Sequence, residues 1–206
     1  MNTIVIGFDG LVRAGKTTLI NRLACIFEAA VVGEYKGYAL KSGSRFPKFP
    51  PESYAKAIEA SIFFMDIERQ RVVDLNNYML SNKKIILVDR TCLSCLAFDY
   101  AANHFTNLET FPEVQKLWSD TPRIIPDLTF FVDVSQTNLK KRMLINKDNF
   151  PPHFLDKKFN RYMVNFFKQE CKKIKHMIRI NANQKSEIVE HSVKTAILKY
   201  LTNPSE

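Results

Sequence analysis

One stretch near the amino terminus constrains this chain more than any other. An apolar segment, residues 3–8, precedes a turn that matches GxxxxGK[ST], with Gly10, Gly15, Lys16 and Thr17 at the four fixed positions. Glycines allow the tight turns that point successive backbone N–H groups into one concavity. A lysine at this position reaches the β- and γ-phosphates of a nucleotide, and the hydroxyl after it can bind Mg²⁺. The pattern therefore predicts a phosphate-binding P-loop between a buried strand and a helix.

Beyond this turn, apolar segments that indicate strands alternate with segments of helical periodicity. The predicted strands are residues 3–8, 30–33, 84–89, 126–134 and 177–181, and the longer helices are residues 52–81, 92–105, 112–120, 155–175 and 185–201. Such alternation predicts an α/β protein with a parallel sheet and right-handed crossovers. With the P-loop, it predicts a three-layer P-loop NTPase fold with a five-stranded parallel sheet flanked by helices. The loops at 41–51 and 146–153 are lid candidates.

Polar residues follow the first three predicted strands: Asp9, Glu34, Asp89 and Arg90. The carboxyl ends of parallel strands share one edge of the sheet, and open α/β sheets bind their ligands there. Asp89 ends an apolar strand, which is where a P-loop protein carries the acid that holds Mg²⁺. We therefore expect these side chains to gather around the P-loop.

Composition limits the protein to a few classes. With 206 residues, 46% of them hydrophobic, the chain can build a sizeable core, and we expect residues 1–206 to form one domain. No apolar run reaches the roughly 18 residues that a membrane span needs. The initial strand, interrupted by Asp9, does not resemble a signal peptide. We therefore expect a cytoplasmic protein without a membrane partner.

The formal net charge of +9 suits polyphosphate substrates and nucleic acid alike. Much of this charge lies in residues 157–175, whose pattern favours a helix with a solvated lysine face. A nucleic-acid partner is the less favoured interpretation. A kinase or binding protein for nucleic-acid ends stays open as an alternative, and it predicts oligonucleotide binding that weakens steeply with salt.

Two other motifs carry less weight. Cys92 and Cys95 form a CxxC pair, but the remaining cysteines are too far apart to supply the second pair that a zinc site needs. The Asn-Lys-Asp sequence at 146–148 resembles the NKxD element of GTPases. Its aspartate comes one position early, and the third strand lacks the glycine of DxxG. A zinc or redox role for the cysteines is therefore not favoured, and neither is GTP hydrolysis.

Several segments resemble the thymidylate kinase family. Residues 9–18, DGLVRAGKTT, resemble its P-loop, and residues 88–98, VDRTCLSCLAF, are similar to its DRY-x-x-S-x-x-A-[YF] segment. Arg69 has the spacing of the family's helix arginine from the end of the third strand. Residues 126–134 resemble its PDL-x-x-x-LDV strand, and residues 181–184 stand where its adenine-side loop lies. The resemblance spans nearly the whole chain.

This resemblance implies phosphoryl transfer from ATP, with Mg²⁺, to a nucleoside monophosphate, most simply dTMP to dTDP. It implies that Arg13 serves the transferring phosphoryl group and that Arg69 and Arg90 grip the acceptor phosphate. The implied catalytic residues are Lys16, Arg13, Asp89 and Arg90, and the implied metal residues are Thr17 and Asp89. The residues implied for ATP binding are Gly10, Ala14, Gly15, Lys16, Thr17, Thr18, Arg142, Ala182 and Asn183. The residues implied for the acceptor are Asp9, Glu34, Arg69, Arg90, Ser94 and Phe98.

The chain departs from the family where the acceptor binds. Val12 replaces an acid, Thr91 replaces the tyrosine of DRY, and residues 149–152 replace an acidic lid segment. Related deoxynucleoside kinases use an acid after strand two as a general base, because their acceptor is a neutral hydroxyl. Glu34 therefore keeps a nucleoside kinase open, beside a degenerate module that binds ATP without turnover. Since the family is often homodimeric through long helices, we also expect a homodimer through helix 52–81.

Overall fold

The computed structural model describes residues 3–145 and 151–203. Its strands are β1 Ile4–Asp9, β2 Ala30–Val32, β3 Ile85–Asp89, β4 Leu128–Asp133 and β5 Met177–Asn181. Its helices are α1 Lys16–Phe27, α2 Tyr35–Lys41, α3 Tyr54–Leu80, α4 Cys92–Thr106, α5 Phe111–Asp120, α6 Gln136–Ile145, α7 Lys157–Lys173 and α8 Ser186–Thr202, with a short 3₁₀ helix at Pro152–Leu155. The five predicted strands and the order of the longer helices are confirmed.

The five strands form one parallel sheet in the order β2-β3-β1-β4-β5. Phe8 of β1 lies beside Asp89 of β3, and Val32 of β2 lies beside Val88 of β3. The three strands therefore end at nearly the same level, and the segments that follow them meet at one edge. The predicted α/β fold with a five-stranded parallel sheet is confirmed.

Side chains of the central strands point alternately to two apolar clusters. Ile6 and Leu87 belong to a cluster that includes buried residues of α1, α7 and α8. Val5 and Ile86 belong to another, which contains Leu75 of α3. Because successive side chains of a strand face opposite sides, helices cover both faces of the sheet. This burial on both faces explains why the strands are nearly continuous apolar runs.

Two local features differ from the expectation. Residues 35–41 form α2, which was not predicted, with Tyr35 and Ala39 buried one turn apart. The basic helix begins later than expected, because Asp156 caps it by accepting a hydrogen bond from the Phe159 amide at 2.7 Å.

Most of the lid predicted at 146–153, with the NKxD-like sequence, falls on residues 146–150, which lie outside the described residues. Residues 152 and 153 belong to the 3₁₀ helix.

The charge of α7 is distributed as in an ordinary amphipathic helix. Its buried residues are Phe159, Asn160, Met163, Phe166 and Phe167, and its exposed lysines are Lys157, Lys158, Lys168, Lys172 and Lys173. The exposed lysines form a solvated face, and the nucleic-acid alternative stays a prediction. In the described ranges, no helix combines the length and the apolar character needed to cross a membrane.

Candidate active site

The turn after β1 needs two glycines for different reasons. Gly10 has a φ of +141° and passes so close to β4 that a Cβ there would lie 2.4 Å from the carbonyl oxygen of Val132. Gly15 has a φ of +100° and caps α1, and a Cβ there would meet no atom closer than 3.6 Å. Gly10 thus lets the loop run against the sheet, and Gly15 lets the chain turn into the helix.

Lys16 is the first residue of α1, and its side chain is buried against the loop. Its Nζ donates hydrogen bonds to the carbonyl oxygens of Leu11 at 2.8 Å and of Gly10 at 3.2 Å. Burial, with the nearby positive charge of Arg90, lowers the pKa of this amine to about 7. A bound phosphate would favour the charged form of the amine. The position therefore fits the predicted role of Lys16 in holding ATP phosphates.

Thr17 and Asp89 meet at the predicted metal site. The Thr17 hydroxyl donates a hydrogen bond of 2.6 Å to Oδ2 of Asp89. The other carboxylate oxygen of Asp89, Oδ1, is buried and has no hydrogen-bond partner among the described residues. Leaving a buried carboxylate oxygen unsatisfied is unfavourable unless a ligand reaches it. A hydroxyl and a carboxylate are the hard oxygen ligands that Mg²⁺ prefers, so this pair fits the metal.

Arg90 connects the ends of β2 and β3 with the P-loop. Its Nε lies 3.2 Å from a carboxylate oxygen of Glu34, the N-cap residue of α2. Its Nη1 donates to the carbonyl oxygen of Gly10 at 2.9 Å and to the Ser94 hydroxyl at 3.2 Å. One guanidinium thus joins the predicted donor side to the predicted acceptor side. Phosphate oxygens match the planar geometry of such a group.

Asp9 is buried beside the first turn of α4. Its carboxylate accepts hydrogen bonds from the Thr91 amide at 3.0 Å, the Thr91 hydroxyl at 2.7 Å and the Ser94 hydroxyl at 2.6 Å. These bonds hold the start of α4, and the role predicted for Asp9 at the acceptor stays a prediction. The replacement of tyrosine by Thr91 also has a local reason, because Thr91 caps α4 by accepting from the Leu93 amide.

The structure does not bring Arg69 into this cluster. Its side chain is exposed on α3 and forms an ion pair with Asp66, one turn earlier. Arg71, two residues further, is fully buried and donates hydrogen bonds to the backbone carbonyls of Asp89 and Arg90. Arg71 was not among the predicted site residues. A usable signal was its spacing of three from Glu68, on the same stripe of α3 as the buried Leu75.

Two other predicted residues pack against protein rather than open space. Phe98 contacts the rings of Phe49 and Phe159, both with centroids 5.2 Å away, in an aromatic cluster that also contains His153. Asn183 is exposed, and its Oδ1 accepts a hydrogen bond of 2.8 Å from the amide of Ser135. Asn183 therefore orders the segment between β4 and α6. The roles predicted for both residues stay predictions.

A cavity of about 340 Å³ opens beside the P-loop. Arg142 crosses its wall, because Nη1 donates to the Ala14 carbonyl and Nη2 to the Ala182 carbonyl, both at 2.7 Å. The predicted residues that line the cavity are Arg13, Ala14, Gly15, Thr18, Arg142 and Ala182. Gln184, from the predicted adenine-side segment 181–184, also lines it, as do Arg22 and Glu190, which were not predicted. The position and size of the cavity fit a nucleotide base and sugar that follow phosphates held in the loop.

The CxxC pair belongs to the packing beneath this site. Cys92 and Cys95 are both buried in the first turns of α4. Burial raises the pKa of the Cys92 thiol to about 12, so the thiol stays protonated and unreactive at neutral pH. The pair is therefore part of the packing at the start of α4.

The chain is similar in sequence to thymidylate kinases. The family model described as thymidylate kinase matches residues 8–193. A curated relative, a probable thymidylate kinase of Methanosphaera stadtmanae, is 28% identical over 130 residues, which cover 62% of this chain and 60% of the relative. The chain therefore matches less than two thirds of that relative's length.

Solved structures share the fold at low identity. Thymidylate kinase from Ehrlichia chaffeensis is 20% identical with a TM-score of 0.67, covering 96% of this chain and 100% of that one. Deoxyadenosine kinase from M. mycoides is 13% identical with a TM-score of 0.70, covering 95% of this chain and 100% of that one. At these identities the likeness concerns the fold, which nucleotide and nucleoside kinases share.

Proposed function

This chain belongs to the thymidylate kinase family, and from that premise we propose that it transfers the γ-phosphoryl group of ATP to a nucleoside monophosphate, most simply dTMP to give dTDP. The observation that carries the proposal is the bridge made by Arg90. Its guanidinium contacts the P-loop carbonyl of Gly10 on one side and the carboxylate of Glu34 on the other. A donor site and an acceptor site that share one cation are what transfer between two anionic substrates requires.

On the donor side, the P-loop amides and the Lys16 amine bind the ATP phosphates, and the base extends into the cavity walled by Arg142. Thr17 and Asp89 would hold Mg²⁺, which would neutralise phosphate charge when bound. Arg13 lines the same cavity, and we assign it to the transferring phosphoryl group. These residues supply position and positive charge, which are the main needs of phosphoryl transfer.

On the acceptor side, Arg90 orients the phosphate of the monophosphate, and Arg69 is the further arginine predicted to reach it. An oxygen of the acceptor phosphate bonds to the γ-phosphorus while the bond to the β–γ bridging oxygen breaks, and ADP leaves. The attacking oxygen is already ionised at neutral pH, so no general base is required. Glu34 then orients Arg90 through their ion pair.

A second candidate is a nucleoside kinase, because Glu34 carries a partly exposed carboxylate beside Arg90 at the mouth of the cleft. In that reaction Glu34 accepts the proton of the 5′-hydroxyl as this oxygen attacks the γ-phosphorus. Glu34→Gln separates the two reactions. The variant should lose nucleoside phosphorylation almost completely, whereas phosphorylation of a monophosphate should continue with a higher KM for the acceptor.

We also propose a homodimer through α3 and a cytoplasmic site of action, where ATP and nucleotides are available. Five large apolar side chains of α3 are exposed along its length: Tyr54, Ile62, Val73, Met79 and Leu80. Apolar residues exposed on one long helix suit burial against a second copy. Light scattering after size-exclusion chromatography should give twice the chain mass, and a monomer at micromolar concentration would contradict the dimer.

The proposed reaction is tested by an ADP-release assay that offers Mg-ATP with each common nucleoside and nucleoside monophosphate. We expect turnover with a monophosphate, foremost dTMP. Lys16→Met should abolish turnover, and Lys158→Met, which removes an exposed lysine of α7, is the matched control with full activity. Turnover with nucleosides alone would favour the second candidate, and ATP binding without turnover of any acceptor would indicate a degenerate module.

A further inference from the structure

A buried ion pair lies beneath the candidate site. Glu68 and Arg71 of α3 are both fully buried, and Arg71 Nη1 donates to Oε2 of Glu68 at 2.6 Å. The same oxygen accepts from the Tyr35 hydroxyl at 2.8 Å, while Oε1 accepts from the Ile124 amide at 2.9 Å. Buried ion pairs are often no more stabilising than apolar residues of similar volume, so the presence of this pair calls for another reason.

The reason lies in the other contacts of Arg71 at the end of β3. Its Nη2 donates to the carbonyl oxygens of Asp89 at 3.1 Å and of Arg90 at 2.5 Å. Arg90 has a positive φ of +68°, a conformation that a residue other than glycine keeps only when its surroundings enforce it. The two hydrogen bonds from Arg71 therefore fix the backbone that aims the Arg90 side chain.

Arg71 also holds the residues on either side of Glu34. Its Nε donates to the Gly33 carbonyl at 3.0 Å, and its guanidinium lies 4.2 Å from the centre of the Tyr35 ring. Glu34 is thus held through its preceding and following residues, just as Arg90 is held through its own carbonyl. Both partners of the Glu34–Arg90 pair depend on the same buried guanidinium.

We propose that Arg71 is a positioning residue that sets the relative placement of Glu34 and Arg90, and through them the binding of the acceptor. This inference rests on the proposed function for its link to acceptor binding. An arginine suits the task because its planar group donates in several fixed directions at once, whereas a lysine amine cannot reach carbonyls on two strands and a carboxylate together. Arg71 itself is fully buried, and its hydrogen bonds go to Gly33, Glu68, Asp89 and Arg90 rather than directly to the P-loop.

The test compares Glu68→Gln/Arg71→Met with the wild type. The double variant removes both charges together, so no unpaired buried charge is left, and the side-chain amide introduced at position 68 can still accept from the backbone amide of Ile124. Arg71→Lys is a conservative second variant, and Arg161→Met, which removes an exposed arginine of α7, is the matched control. Each protein is assayed for ATP affinity without acceptor, for kcat and acceptor KM, and for hydrogen exchange of the Arg90 and Thr91 amides.

We expect the double variant to lose about tenfold or more in kcat/KM for the acceptor, because a displacement near 1 Å can cost about a hundredfold. ATP affinity should stay within about twofold of the wild-type value, and hydrogen exchange of the Arg90 and Thr91 amides should accelerate. The kcat/KM of Arg71→Lys for the acceptor should lie between those of the wild type and the double variant. Wild-type kinetics with wild-type exchange, or an equal loss of ATP affinity, would overturn the inference. If the wild type phosphorylates no acceptor, the proposed function fails, and exchange at these two amides alone decides the positioning role.

Discussion

The buried amine of Lys16 should make the ligand-free protein less stable than a variant without the charge. Burial lowers the pKa of Lys16 from 10.5 to about 7. A lysine whose pKa is lower in the folded state binds fewer protons there than in the unfolded chain, so the free energy of unfolding rises with pH between about 7 and 10.5. The destabilisation is therefore fully expressed at and below neutral pH.

The magnitude follows from the same pKa. At about 1.36 kcal/mol per pKa unit, the change disfavours the charged folded state by about 4 kcal/mol at pH 7. Lys16→Met removes that cost but also the two hydrogen bonds to loop carbonyls, each worth about 1 kcal/mol. The variant should thus be more stable than the wild type by about 2 kcal/mol at pH 7, although it cannot turn over ATP.

Urea denaturation of both proteins at pH 7 and pH 9.5, without nucleotide, measures this difference. Other titrating groups are common to the two proteins and cancel. The free energy of unfolding of Lys16→Met, taken relative to that of the wild type, should therefore fall by about 3 kcal/mol at the higher pH. Lys158→Met, which alters an exposed lysine, should follow the wild type at both values. A less stable Lys16→Met at pH 7, or a difference that does not change with pH, would refute the reasoning.

Four further changes test other parts of the molecule. Asp89→Asn should raise the Mg²⁺ concentration for half-maximal activity at least about tenfold; an unchanged requirement in a Mg²⁺ titration would remove Asp89 from the metal site. Burial lowers the pKa of His153 to about 4, so the wild type should lose on the order of 1 kcal/mol as pH falls from about 6.5 to 4, after allowance for partial exposure. His153→Phe should lose less in urea denaturation over that range, and an equal loss would contradict the assignment. Burial raises the pKa of Asp99 from 3.8 to about 7, so the stability that the neutral carboxyl contributes is lost as pH rises from about 4 to 7. The melting temperature of Asp99→Asn should therefore rise relative to that of the wild type between pH 5 and pH 8.5, and parallel melting curves would count against it. Arg69→Ala should raise the KM for a phosphorylated acceptor, and an unaltered KM would leave Arg69 as a surface residue.

The sheet and the centre of the site could be predicted because local patterns determine them. Apolar runs that alternate with helical segments require a parallel sheet, and parallel strands bring their carboxyl ends to one edge. This is why the order of residues alone was enough to group Asp89, Arg90 and Glu34 around the P-loop. The P-loop itself is a contiguous pattern, so its position needed no tertiary information.

Side-chain directions could not be predicted where they depend on distant contacts. Spacing selected Arg69, but residues two positions apart on a helix point about 200° apart, and the packing of α3 turns Arg71 inward. The role of Arg69 stays a prediction. Asp9 ends a strand as expected, yet its carboxylate turns toward Thr91 and Ser94, more than eighty residues later. The helix α2 was missed because its apolar face consists of two residues, Tyr35 and Ala39, which is too short to show a period.

The nearness of Gly10 to Val132 changes how variants of the phosphate loop should be interpreted. A methyl group at Gly10 would wedge β4 away from β1, so Gly10→Ala should fail in assembly of the sheet before any nucleotide is offered. A Cβ at Gly15 would meet Arg142 Nη1 at 3.6 Å, an ordinary contact distance, so a substitution there strains mainly the turn of the phosphate loop. The two glycines of the motif are therefore needed for different reasons. Gly10 allows the loop to pack against β4, and Gly15 allows the turn of the phosphate loop into α1.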